Sequence, residues 1–223
     1  MAKKGRRAPE PLPPPLPPAS RTVGQLVAET VRFYGRHFWG SLLLGLPPAA
    51  LAVGSTFLDR RGQFALALIG GALISLSYVG ACALVVGERP PRRTLMIAWW
   101  VAILIWIPVP FLALALFLPA LAWLALAGLA VPAVVVEGLP LRRALGRGMQ
   151  LGRADYVHSL GSLAALAIVV GLTGSVLSLL IHTGSDQAAR VALFLASLIV
   201  SPLVFLGSVL LYDDQAARVK ARQ

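Results

Sequence analysis

The residues of this chain best suited to chemistry lie in one stretch, "VVVEGLPLRRALGRGMQLGR", residues 134–153. A single carboxylate, Glu137, ends a long apolar run, and Arg142, Arg143, Arg147 and Arg153 follow with no further acid between them. An acid beside clustered arginines could be a general acid or base next to a grip for an anionic substrate. The same pattern could instead be the polar exit of a membrane span facing anionic lipid.

The remaining ionisable side chains favour the second reading. The acids are Glu10, Glu29, Asp59, Glu88, Glu137, Asp155, Asp186, Asp213 and Asp214, and none lies inside an apolar block. A coupled pump or proton relay would place an ion near mid-membrane, where it is costly and therefore functional. His37, His158 and His182 are far apart, with no HExxH spacing and no carboxylate at ligand distance, so no metal site is expected. GxSxG, P-loop and GxGxxG patterns are missing, which removes the soluble catalytic motifs and nucleotide cofactors. Ser75, Ser77, Ser175 and Ser178 lack a convincing His or Lys partner at membrane depth. Cys82, the one cysteine, sits in an apolar run and reads as a packing residue.

The elements that must position Glu137 and its arginines follow from composition. Of the 223 residues, 57% are hydrophobic and 13% charged, half the charge of an ordinary soluble domain. The apolar residues fall in blocks long enough to cross a bilayer at about 20 residues each. The expected fold is all-α and polytopic, with six transmembrane helices and two interfacial amphipathic helices. The spans are placed at about 38–58, 64–86, 95–115, 118–137, 157–181 and 191–212. The third and fourth share one uncharged block, 95–136, divided near Phe117–Pro119 because proline suits a first helical turn. Pro108 and Pro110 offer a competing break. Residues 1–21 form a basic, proline-rich and disordered tail, 22–214 the membrane domain, and 215–223 a second basic tail. The first apolar run begins near residue 38 behind that basic leader, unlike a cleaved signal peptide.

The net charge of +11 would suggest nucleic acid in a soluble chain; here it flanks spans and reports topology. With both termini cytoplasmic, the inside segments hold seventeen of the twenty Lys and Arg residues. Only Arg60, Arg61 and Arg190 fall outside. The expected location is the bacterial cytoplasmic membrane. The expected partners are anionic membrane lipids and a membrane-protein partner or second copy, not nucleic acid.

Two amphipathic segments flank the spans. In 22–37, Val23, Leu26, Val27, Thr30, Val31, Phe33 and Tyr34 share one helical face, while Gln25, Arg32 and Arg36 share the other. Thr22 and Gln25 have capping-box spacing. From Pro140, Leu141, Ala144, Leu145, Gly148, Met149, Leu151 and Gly152 share one face, and Arg142, Arg143, Arg147, Gln150 and Arg153 the other. Gly146, Gly148 and Gly152 each cost about 1 kcal/mol against alanine, so this helix needs a surface to hold it, and the cytoplasmic leaflet is the expected one. Its arginines, with Arg32 and Arg36, are the candidate lipid contacts. Glu137 is expected to pair with Arg142 or Arg143 or to sit at the following helix N-terminus.

Three patterns concern packing. Gly71/Ser75, Ser77/Ala81, Gly171/Ser175 and Gly174/Ser178 are small-xxx-small pairs that allow close helix approach. Trp39, Trp99, Trp100, Trp106 and Trp123 read as interface anchors. An amphipathic segment, "GRHFWGSLLLG" and two spans are echoed by an amphipathic segment, "GRADYVHSLGSL" and two spans, a possible parallel repeat.

"PAVVVEG" (Pro132 to Gly138), "RALGR" (Arg143 to Arg147, including Ala144 and Leu145) and Leu151 together resemble the membrane domain of some bacterial glycerophosphoryl diester phosphodiesterases. "QLVAETVRFYGRHFWGSLLL" and the closing "LLYDD", with Tyr212 and Asp213, are also similar to it. Many stand-alone multispan proteins share that domain. Gly148 stands where the family usually has serine, and no basic residue directly follows the closing aspartate. The resemblance implies a six-span helical domain. It implies no phosphodiesterase activity, because that chemistry belongs to a soluble barrel of which no segment is recognised here. The expected function is therefore a non-enzymatic, lipid-engaging or scaffolding and modulating module, or alternatively a transporter of a lipid-like or apolar solute. A membrane enzyme would require Glu137, Asp155 and His158 to converge.

Overall fold

A computed structural model describes residues 17–115, 117–181 and 185–222. Residues 1–16, which carry most of the proline-rich tail, and His182 lie outside the described residues. Among the described residues all regular structure is helical. A 3-10 turn, Pro18–Ser20, leads into α1 (Val23–Arg36), which starts on the expected capping box: Gln25 N–H donates to Thr22 Oγ1 and Thr22 N–H to Gln25 Oε1.

Six helical stretches are long and apolar enough to cross a membrane, so the chain is an all-α integral membrane protein. The first is α2 (Phe38–Leu44) with α3 (Leu46–Ser55), and the second is α4 (Arg60–Val86). The third joins α5 (Arg92–Trp106) to α6 (Pro108–Ala115), and the fourth joins α7 (Phe117–Ala127) to α8 (Ala130–Glu137). After the amphipathic α9 (Leu141–Ala154) come the fifth, α10 (Tyr156–Ile181), and the sixth, α11 (Asp186–Val200) with α12 (Pro202–Ala221). α6 ends at Ala115 and α7 begins at Phe117, and the Pro108 break falls inside the third span.

Proline sets most of the interruptions. Lacking an N–H, it leaves the carbonyl four residues back without its helical donor. At the α7–α8 break Pro132 deprives the Gly128 carbonyl in this way, and it accepts instead from the Tyr78 hydroxyl of α4 at 2.9 Å and from the Val131 N–H at 3.3 Å. Breaks at Gly45–Leu46, Ile107–Pro108 and Ser201–Pro202 follow the same residue logic. The breaks fall on the first span of the proposed early repeat but on the second span of the later one, so the two halves differ in shape.

The core centres on α8, whose residues Ala130 to Val135 are all buried. Around it pack α4, α5, α9 and α12, contributing Val79, Ala98, Val101, Ala144, Leu151, Val209 and Tyr212. Trp99, Trp106 and Trp123 were expected at the interface and instead lock helices together. Their indole N–H groups donate to Ala72 O at 2.9 Å, Ala67 O at 3.0 Å and Ile105 O at 2.8 Å. A buried indole needs an acceptor, and helix carbonyls keep a free lone pair for one. Only Trp39 and Trp100 remain strongly exposed, at 76% and 56%.

The small-xxx-small pairs also divide. Gly71, Ser75, Ser77 and Ala81 are buried, but Gly71 accommodates the Trp106 ring rather than a helix backbone. Among the described residues nothing outside their own helix lies within 4 Å of a Cβ built at Gly171 or Gly174, and both line an open groove between α3, α10 and α11.

Candidate functional site: the arginine-rich end

The chain turns from α8 into α9 at Gly138, whose φ of 67° lies in the left-handed region that favours glycine. Pro140 precedes the first turn of α9, and the hydrophobic face of that helix then lies against the chain's own spans. Ala144, Gly148, Leu151 and Gly152 are buried. A Cβ at Gly148 would collide with the backbone of Ala130, and one at Gly152 with the carbonyls of Ala125 and Leu126. The glycines therefore allow α9 to seat on the α7–α8 break. The surface that holds this helix is protein, where the sequence pointed to the lipid leaflet. Leu141 remains exposed at its start.

Glu137 ends α8 and pairs with Arg147, at 3.0 Å from Nε, not with Arg142 or Arg143. The same Oε1 accepts the Tyr212 hydroxyl of α12 at 2.5 Å. Tyr212 is 2% exposed, so its hydroxyl needs this acceptor. Arg147 also donates to Gln150 Oε1 at 3.2 Å. Glu137, Arg147 and Tyr212 thus tie the ends of α8, α9 and α12 together. Asp213, next in the closing motif, is half-buried and makes no ion pair among the described residues.

A second cluster lies where α10 begins beside α12 and the 3-10 segment. Arg218 Nη1 donates to Asp155 Oδ2 at 2.8 Å, its Nη2 donates to the Arg21 carbonyl at 2.6 Å, and His158 Nε2 lies 3.4 Å away. The backbone N–H of His158 donates to Asp155 Oδ1, closing the first turn of α10. Arg21 in turn pairs with the fully buried Asp214 at 3.1 Å. Gln215 donates to Ser159 Oγ at 2.9 Å, and Arg222 to Ala154 O at 2.8 Å. The polypeptide entering α1 and the last turns of α12 are consequently fastened at one end of the bundle, the end that also carries α9.

Asp155 and His158 therefore converge, on Arg218, while the partners of Glu137 are Arg147 and Tyr212. Sequence reasoning missed Arg21 and Arg218. Asp214 and Arg218 have the i,i+4 spacing of an intrahelical pair, yet each is recruited by another segment. Arg32 and Arg36, candidate lipid contacts, both pair with Glu29 at 2.8 Å, which lowers the net charge of that face.

Arg142, Arg143 and Arg153 differ from the other three candidate lipid contacts, Arg32, Arg36 and Arg147. Arg142, Arg143 and Arg153 are all exposed and make no ion pair or side-chain hydrogen bond among the described residues. Arg153 borders an open groove of about 670 Å³ between α9 and α12, lined also by Met149, Gln150, Val219 and Arg222. Its lining contains no acid. An exposed arginine on a rigid support can present its planar donor fork to phosphate oxygens in paired hydrogen bonds.

No family model, no curated protein and no solved structure matches the chain.

Proposed function

We propose that this protein is a non-enzymatic module of the bacterial cytoplasmic membrane, with both termini cytoplasmic, whose arginine-rich end engages anionic lipid headgroups. Through that surface it scaffolds or modulates a membrane-protein partner or a second copy of itself. One observation carries the reading: Arg142, Arg143 and Arg153 have no ion-pair partner among the described residues and stand on a helix whose opposite face is docked on the bundle. The cytoplasmic orientation of this end draws its support from the seventeen-to-three imbalance of Lys and Arg. Juxtamembrane arginines gain roughly 1 kcal/mol each near anionic lipid. We also propose kinship with the phosphodiesterase-associated membrane domain. Its support is that the two motif segments, "VEG" and "LLYDD", meet in the bond between Glu137 and Tyr212.

Native mass spectrometry of the gently solubilised protein tests the lipid reading. Wild type is expected to retain phosphatidylglycerol or cardiolipin. The Arg142→Gln, Arg143→Gln, Arg153→Gln triple variant is expected to lose it. Equal retention by both proteins sinks the proposal, and a co-purifying protein identifies the partner. The alternative, a carrier of a lipid-like solute, draws support from the broken spans and the open groove along Gly171 and Gly174. Substrate-dependent flux in proteoliposomes decides it.

A further inference from the structure

The middle of the bundle encloses a cavity of about 100 Å³. Its wall is drawn from five spans: Ile74 of α4, Ala102 and Ile105 of α5, Leu124 and Gly128 at the α7–α8 break, Ala167 of α10, and Phe205 of α12. Ile74, Ala102, Gly128 and Ala167 each lie at, or next to, the midpoint of the span that carries them. The cavity is therefore at mid-depth in a bilayer, the level at which lipid acyl chains end.

Three hydroxyls reach the wall, and all donate elsewhere. Ser75 donates to Gly71 O at 2.7 Å, Tyr78 to Gly128 O at 2.9 Å and Ser208 to Val204 O at 2.7 Å. No hydroxyl hydrogen is left over for a guest. The hydroxyl oxygens keep acceptor lone pairs, but almost all of the surface the wall presents to the cavity is apolar, and apolar cavities somewhat larger than this remain dry and take up benzene or xenon. The chemistry of the wall thus selects hydrocarbon.

A path to the lipid is also present. Ile74 and Trp106 line both this cavity and a neighbouring, more open pocket that includes Pro48, Leu51, Ala52 and Ala67. Pro48 and Ala52 continue in turn into the open groove along Gly171 and Gly174. Trp106, held by its bond to Ala67 O, stands as the partition between groove and cavity.

We propose that the cavity is a binding site for the end of a lipid hydrocarbon chain, which enters from the groove past Trp106. The site is separate from the arginine surface, and the two stand on different residues. Protein in nanodiscs is photolysed with a phospholipid bearing a diazirine at its chain terminus, and labelled residues are located by peptide mass spectrometry. Wild type is expected to carry label on cavity residues such as Ala167, Leu124 and Phe205, well above the level on Val131 and Val134, which are buried away from the cavity. Ala167→Leu, which fills the cavity, is expected to lose that label while keeping the label on lipid-facing Leu179 and Leu180. Should Ala167→Leu fail to fold, Ala167→Val gives the same readout with less bulk. Trp106→Ala removes the partition and is expected to raise cavity labelling. Cavity label no higher than that of Val131, or label unchanged in the filled variant, overturns the proposal. Uptake of xenon without chain labelling overturns it as well, because the cavity would then be closed to lipid.

Discussion

Gly146 and Gly148 lie two residues apart on α9 and give the sharpest test of what holds that helix. Gly146 is exposed, and a Cβ there meets nothing within 4 Å. Gly146→Ala should therefore gain only the helix-propensity difference, about 0.5–1 kcal/mol. Gly148 is buried, and its Cβ would overlap the backbone N and Cα of Ala130. Backbone inside a packed span cannot rotate away as a side chain can. The whole of α9 must shift, at the upper end of the usual overpacking cost of about 1–3 kcal/mol. Less the propensity gain, Gly148→Ala should destabilise by about 2 kcal/mol. Cys82 supplies the assay: it is the only cysteine and is fully buried, so reaction with a fluorogenic maleimide on heating reports unfolding. At about 2–4 °C per kcal/mol for a chain of this size, Gly146→Ala should melt slightly higher and Gly148→Ala about 4–8 °C lower. If the glycine face lay on lipid, both substitutions would stabilise. Two increases in melting temperature would refute the docking of α9 on α8.

Three further outcomes use the same melting assay. Tyr212→Phe and Glu137→Gln, combined in a double-mutant cycle, should show a coupling of about 1 kcal/mol, since a charged acceptor strengthens the bond but Glu137 keeps Arg147 and is partly exposed; zero coupling would mean that the two motif residues do not meet. Trp106→Phe should cost about 1–2 kcal/mol through loss of a buried hydrogen bond and the space over Gly71, whereas Trp100→Phe, with its ring exposed, should stay within about 0.5 kcal/mol. Arg218→Gln should cost about 2 kcal/mol, below the figure for a fully buried pair because Arg218 and Asp155 retain some solvent contact, and wild-type stability after the change would exclude the clamp between α10, α12 and Arg21.

The fold was legible because a membrane constrains sequence along one dimension. Block length, the spacing of charges and the capping pair at Thr22 and Gln25 are local, and all three are read without knowing which helices touch. The same is true of the polar and apolar faces of α9. What covers each face depends on contacts between distant segments, and there the sequence misled. Glycine on an amphipathic helix signals a need for support, but the support can be lipid or a neighbouring backbone, and only the approach of Ala130 decides between them. Tryptophan carries the same ambiguity. Its apolar ring and single donor suit an interface, yet they equally suit a helix pair in which a carbonyl is within reach, as Ala67 and Ile105 show for Trp106 and Trp123. The pairing of Glu137 was misjudged for a related reason. Arg142 and Arg143 are nearer in sequence, but the first turn of α9 points them away, and Arg147 is the arginine that returns to the end of α8.

That choice of partner bears on the arginine surface itself. Eight Lys and Arg residues lie on α1, α9 and α12, and the acids present take up four of them: Arg32 and Arg36 share Glu29, Arg147 takes Glu137, and Arg218 takes Asp155. Of the four left over among the described residues, Lys220 lies on the last turn of α12, and Arg142, Arg143 and Arg153 all belong to the one helix fixed by glycine contacts to the core. Ordering a long cationic side chain costs entropy, and a helix that is already immobile leaves less to lose when a headgroup binds. Loosening α9 should therefore weaken lipid retention even with every arginine in place. Gly148→Ala, which keeps the full charge, is expected to retain less anionic lipid than Gly146→Ala in the same native mass spectrometry experiment. Equal retention by the two would show that charge alone, without the docking of α9, sets the affinity.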